Sequence, residues 1–324
     1  MGWGTSSGCA AFMAASVSQD TEKDGTDMRA LGYFTGIFAT ALGLVAIATM
    51  PAWQLVNRFA HVPFHRVGNR IAMLGLAIGL YVVARKLGVS DRRSMGFGLP
   101  RDRFLRELLR GLALGILFML PLAALMLALG IREFAGALTA GGLLKLFLAG
   151  MGSGLAVAFI EESFLRGAMY SAVSRESGTA LAVVSTSLLY AAVHFFARFR
   201  IADADVDAFS GIALLGGSLG EFARPLEIAD AYLCLAGVGV LLALLRARTG
   251  SIAAGMGLHA GWVTVMLVVL RTTVVDPEAP RVMLLSQHDG FVGWLTLVWT
   301  AIAAVPLLAY YKRRQARAES IFQD

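Results

Sequence analysis

Phe159-Ile160-Glu161-Glu162-Ser163-Phe164-Leu165-Arg166-Gly167 sets two carboxylates and a guanidinium inside a run otherwise apolar enough to cross a bilayer. At the centre of a helix in lipid each such group costs roughly 2.5–3.5 kcal/mol on insertion scales. Three within six positions are tolerated only where they face protein or a water-filled cavity. On a helix each residue turns about 100°, so Glu162 and Arg166 share a face and can pair. Glu161 points about 100° away from Glu162. An ion pair that merely fixes helix packing needs one carboxylate, which leaves Glu161 for other work.

Composition places this stretch in its setting. The chain has 324 residues, 57% of them hydrophobic and 15% charged, with a mean hydropathy of +0.68. That is too apolar for a soluble globule, and several runs are long enough to span. The fold class expected is an all-α, polytopic helical bundle in the membrane. A formal charge of +6 would suggest nucleic acid in a soluble protein. Here the basic residues lie between apolar runs, where lipid headgroups and topology rules put them, so the expected partner is membrane lipid and not nucleic acid. Cys9 and Cys234 lie in a polar tail and an apolar run, which suggests neither a disulfide nor a metal cluster.

In chain order, residues 1–28 read as a polar tail. Met1-Gly2 with Ser6 fits the myristoylation pattern only loosely. A membrane domain follows over 29–311, with a basic tail over 312–324. Eight spans are expected: Leu31–Val56, Ile71–Ala84 with its ends extended, Leu112–Gly130, Gly141–Ser174, Thr179–Phe196, Ile228–Leu245, Ile252–Leu270 and Phe291–Tyr311. The connector from Arg85 to Arg110 is basic, and its Arg103, Arg106 and Arg110 read as a headgroup-facing surface. Arg198 to Arg224 is Gly-rich, carries Asp203, Asp205 and Asp207, and reads as an extramembrane loop. Gly150 and Gly154 stand one small-xxx-small step apart, which lets a second helix approach closely.

Eight spans put both termini on one side. With the N-terminus inside, cytoplasmic segments hold 17 of the 28 Lys and Arg residues and the opposite loops hold 10, so both termini are expected in the cytoplasm.

Two histidines stand inside spans. His194 has Tyr190 one turn earlier on its face, and His259 sits among Gly255, Gly257 and Gly261, which permit close backbone approach. Counted from the cytoplasmic helix ends at 1.5 Å per residue, Glu161 lies roughly 20 Å deep, His194 roughly 24 Å and His259 roughly 13 Å. Within boundary error the three meet near mid-membrane. Two carboxylates with two imidazoles make a water-activating site, in which a carboxylate takes a proton from water and imidazoles orient that water or stabilise an oxyanion. The same donors can ligate zinc as two His and one Glu (Glu161, His194 and His259), although no His-Glu-x-x-His segment is present.

These residues resemble the CAAX-protease and bacteriocin-processing (CPBP, ABI-like) intramembrane endopeptidases, a group that includes the type II CAAX prenyl endopeptidase. Glu161, Glu162 and Arg166 match its EExxxR motif. Tyr190 to His194 matches its second motif, an aromatic followed four residues later by His, and His259 matches the start of the third. The likeness covers about Phe147 to Val269. It implies that Glu161 activates the hydrolytic water with His194 helping to hold it, that Glu162 and Arg166 brace the site, and that His259 serves the oxyanion. It also admits a metal-dependent description and a prenylated or plain peptide as substrate. One position departs: four residues after His259, where the family usually has Asn or a similar polar residue, stands Val263. Thr264, one further on, is rotated about 100° off that face.

The expected activity is therefore hydrolysis of a peptide bond in or near the membrane. The alternative is a non-enzymatic transporter, scaffold or immunity protein using the buried Glu/His cluster as a proton or ion relay. A serine protease built on Ser153 is weaker, because Ser153 lies two turns from the carboxylates and has no nucleophile-turn motif.

Overall fold

The computed structural model describes residues 28–136, 139–196 and 199–320; the myristoylation pattern at Gly2 and nearly all of the 1–28 tail lie outside them. Helices α1 (Arg29–Val56), α2 (Phe64–Lys86) and α3 (Arg101–Ala128) come first. Then a continuous helical path runs through α4 (Ala140–Glu161), a wide π-helical segment (Glu162–Met169) and α5 (Tyr170–Phe196). The short α6 (Ser210–Gly220), α7 (Pro225–Thr249), α8 (Ala253–Thr272) and α9 (Trp294–Ser320) complete it. Two three-residue strands, β1 (Arg132–Phe134) and β2 (Thr273–Val275), pair antiparallel, Arg132 opposite Val275.

Seven helical stretches among the described residues are long and apolar enough to cross a membrane. The longest, Ala140–Phe196, contains two of the eight expected spans. Gly178, with φ 84° and ψ 166°, breaks it into two limbs. Only glycine enters that backbone region cheaply, which is why the reversal falls there. The remaining expected spans each lie on one helix. Several of these helices run past the expected span at one end, where polar and basic turns extend them into the headgroup zone, as α3 begins at Arg101 and α9 continues past Lys312. The other ends fall within three residues of expectation.

The loops gather at two ends of the bundle. At one end Ala30 N–H donates to Glu176 at 2.6 Å, Arg246 donates to the Ser94 carbonyl at 3.1 Å, and Arg314 pairs with Glu107 at 2.9 Å. At the other, buried Arg132 donates through Nε to the Thr273 hydroxyl at 2.7 Å and through Nη2 to the Thr273 carbonyl at 3.0 Å, pinning the small hairpin. One expectation needs correction. The stretch from Arg198 to Arg224 is not wholly loop, since α6 forms within it and packs on α1 so closely that a methyl at Gly211 would strike the Ala46 carbonyl. Its glycines lower helix propensity, and packing of Leu214 into a cluster with Val45 and Phe64 overrides that.

Helix α8 is the centre of the bundle, and every residue from Ala253 to Trp262 is buried. Glycines explain how neighbours come near enough to bury it. A methyl at Gly257 or Gly261 would collide with carbonyls of α3 at Leu108 and Leu112. On the other flank, methyls at Gly150 and Gly154 would stand 3.1 Å and 2.6 Å from the Thr264 and Ala260 carbonyls. The small-xxx-small step therefore seats α4 on α8, as its spacing suggested. The large apolar side chains left outside, among them Ile47, Ile78, Leu117, Leu144, Ile302 and Val305, form the lipid-facing rim.

Candidate active site

Glu161 ends α4 and Glu162 opens the π segment. Wide turns of this kind are uncommon and concentrate at functional sites. Glu162 and Arg166 pair as their spacing suggested, Nη1 to Oε1 at 3.0 Å, with both side chains shut away from solvent. The guanidinium has further tethers: Nη2 donates to the Gly239 carbonyl on α7 at 3.1 Å, and the Tyr190 ring lies 4.7 Å beneath its carbon. A buried charge needs such compensation, and of this guanidinium only Nε is left without a hydrogen-bond partner.

His259 reaches in from α8 and meets both carboxylates. Nδ1 stands 3.2 Å from Glu162 Oε1, and Nε2 stands 3.8 Å from Glu161 Oε2. The first is a hydrogen bond and the second is too long for one. An Nδ1–H donated to Glu162 fixes the imidazole's tautomer and leaves Nε2 facing Glu161 across a gap of the size a water bridges. Oε2 of Glu161 and Oε2 of Glu162 have no hydrogen-bond partner. The two acids also differ in access, for the Glu161 side chain is 24% exposed and that of Glu162 1%. Gly255 lies beside the Glu162 carboxylate, where a methyl would stand 3.4 Å from Oε2, in ordinary contact.

His194 lies behind Tyr190. Its Nδ1 donates to the Tyr190 carbonyl at 2.7 Å, which leaves Nε2 as an acceptor. Tyr190 joins the two imidazoles, its ring centre 4.6 Å from that of His194 and 6.0 Å from that of His259. Of the five expected residues, Arg166, Glu162, His259 and Glu161 thus form one chain of contacts in that order, while His194 reaches it through Tyr190. The zinc arrangement does not fit: among the described residues no three of His, Cys, Asp and Glu converge to hold an ion. Ser153 is exposed on α4, where its hydroxyl donates to the Ala149 carbonyl at 2.6 Å, so it has no place in the site.

Two supports escaped the sequence reading. Arg246 counts there as one more basic residue past a span end, yet it is buried and its Nε donates to the Arg166 carbonyl at 3.0 Å. Gly239 looks like any small residue in an apolar helix, and its role rests on a carbonyl. Its spacing gave no signal. The Thr264 hydroxyl donates to the Ala260 carbonyl at 2.7 Å on its own helix, so it does not replace a polar side chain at Val263.

Residues 143–265 match the family described as type II CAAX prenyl endopeptidase Rce1-like. The match is consistent with a CPBP family protease. It encloses Glu161, Glu162, Arg166, Tyr190, His194, His259 and Val263. That family is one of proteases, and the matched segment runs from α4 into α8, so it takes in the helices that carry all five candidate side chains. No curated protein and no solved structure matches the chain.

Proposed function

We propose that the chain hydrolyses a peptide bond in or near the membrane by a glutamate-activated water, as a CAAX-type processing endopeptidase. The observation that carries this reading is His259 suspended between two unlike carboxylates, one sealed in an ion pair and the other partly open with an unpartnered oxygen. Glu161 takes a proton from water held in the gap to His259 and His194, and the hydroxide attacks the scissile carbonyl. His259 serves the tetrahedral oxyanion through Nε2–H while Nδ1–H stays on Glu162; the Nε2 proton is taken from solvent before the peptide binds and is retained through the cycle. The proton on Glu161 passes to the leaving amine as the C–N bond breaks, giving a carboxylic acid and an amine. Glu162, Arg166 and Tyr190 hold His259 and the helix still. Both termini, in this proposal, lie in the cytoplasm, and the substrate is a peptide presented at the membrane, prenylated or plain.

Cleavage by protein purified in detergent tests the reading. Prenylated and plain C-terminal peptides are compared, each with and without chelator. Product from one or both peptides supports hydrolysis, and their ratio reads the requirement for the lipid group. No product from either peptide, with the fold intact, would overturn it.

A further inference from the structure

A cleft of about 550 Å³ opens where the loop over residues 87–100 meets the ends of α5 and α7. Arg93, Arg175 and Arg246 line it together with the hydroxyls of Ser94, Ser171 and Ser174. Its one acid, Asp91, is already committed, accepting from the backbone N–H groups of Arg93 and Ser94, each at 3.0 Å, and from the Ser94 hydroxyl. The cations have only neutral partners. Arg246, 8% exposed, gives Nε to the Arg166 carbonyl and Nη2 to the Ser94 carbonyl and the Ser171 hydroxyl, at 3.1 Å and 3.2 Å. Arg175 gives Nη1 to the Gly88 carbonyl at 3.0 Å and Nη2 to the Ser94 hydroxyl. No ion pair forms to any of the three among the described residues, and the Arg93 guanidinium has no protein partner there.

A buried guanidinium without a counter-charge is costly, and its usual partner is an anion. Forked guanidinium donors flanked by hydroxyls suit the several oxygens of a phosphate. The place suits it as well, because basic pockets between helix ends sit at headgroup depth. We propose that this cleft binds a phosphate group, carried by an anionic lipid headgroup or by a soluble phosphate compound. The site is distinct from the Glu161 centre and does not depend on peptide cleavage, although Arg246 ties its floor to the π segment.

The test uses the full chain in neutral detergent, stripped of co-purified lipid, with melting temperature followed against added phosphatidylglycerol, phosphatidylcholine or inorganic phosphate. Phosphatidylglycerol is expected to raise the melting temperature and phosphatidylcholine to leave it unchanged. The Arg93→Gln, Arg175→Gln double variant is expected to lose roughly thirtyfold in apparent affinity, the equivalent of two headgroup contacts. Should that variant fail to fold, Arg93→Gln alone, which removes no protein hydrogen bond, is expected to lose about fivefold. A response to phosphatidylglycerol alone assigns a lipid, and an equal response to inorganic phosphate assigns a soluble compound. A full phosphatidylglycerol response in Arg93→Gln, or equal responses to both lipids in the parent, would overturn the proposal.

Discussion

A carboxylate stands at each ring nitrogen of His259, and the two acids differ in what else holds them. Glu162 is locked by Arg166, so the account makes it structural. Arg166→Ala strands Glu162 as a buried charge and removes a second donor from the Gly239 carbonyl; breaking such a pair costs about 3–5 kcal/mol. The variant is expected to melt well below the parent, and a normal melting temperature would remove Arg166 from its bracing role. Val263 bears on the other end of the reaction. Val263→Asn sets an amide one turn from His259 on its face. One oxyanion donor is worth roughly 10²–10³ in kcat in other acyl-transfer enzymes, so even a poorly aligned amide is expected to raise turnover severalfold. Unchanged turnover in a folded variant would mean that the oxyanion is held elsewhere.

Helix α8 and the π segment decide whether these side chains meet. Gly257 lets α3 press against α8, and Gly257→Val forces the helices apart. The expected cost is at least about 1–3 kcal/mol, read as a lower melting temperature, with lost cleavage as His259 shifts. Parent-like stability would show that α3 and α8 are not so closely seated. Much of this was legible beforehand. Charges in an apolar run are costly enough to announce a site, and the Gly150/Gly154 and Gly255/Gly257/Gly261 spacings announced close helix contacts. The π widening was not legible, because helical periodicity reads the same residues as an ordinary turn. Arg246 and Gly239 act through backbone carbonyls, which carry no residue-type signal. Helix α6 was missed because α1 stabilises it from a distant part of the chain. Reading Glu161 as rotated away from Glu162 was sound for the backbone, yet one imidazole with two nitrogens still spans both.

Among the described residues seven helical stretches are long and apolar enough to cross, eight if the two limbs about Gly178 count separately, and the fold gathers Ala30, Glu176, Ser94, Arg246 and Arg314 at one end. The proposed topology, drawn from the Lys/Arg bias, puts that end in the cytoplasm. A single cysteine introduced at Arg313 is expected to resist an impermeant maleimide in intact cells and to react after lysis, whereas one at Glu278 is expected to react in intact cells. The reverse pattern would invert the topology. The central claim is that Glu161 is the base, and replacing only its acidity tests it most directly. Cleavage of a prenylated C-terminal peptide is measured for the parent and for Glu161→Gln, with melting temperatures alongside. Glu161→Gln keeps the shape and removes the base. The account predicts a parent-like melting temperature with cleavage abolished; cleavage at the parent rate by a folded Glu161→Gln protein would contradict it.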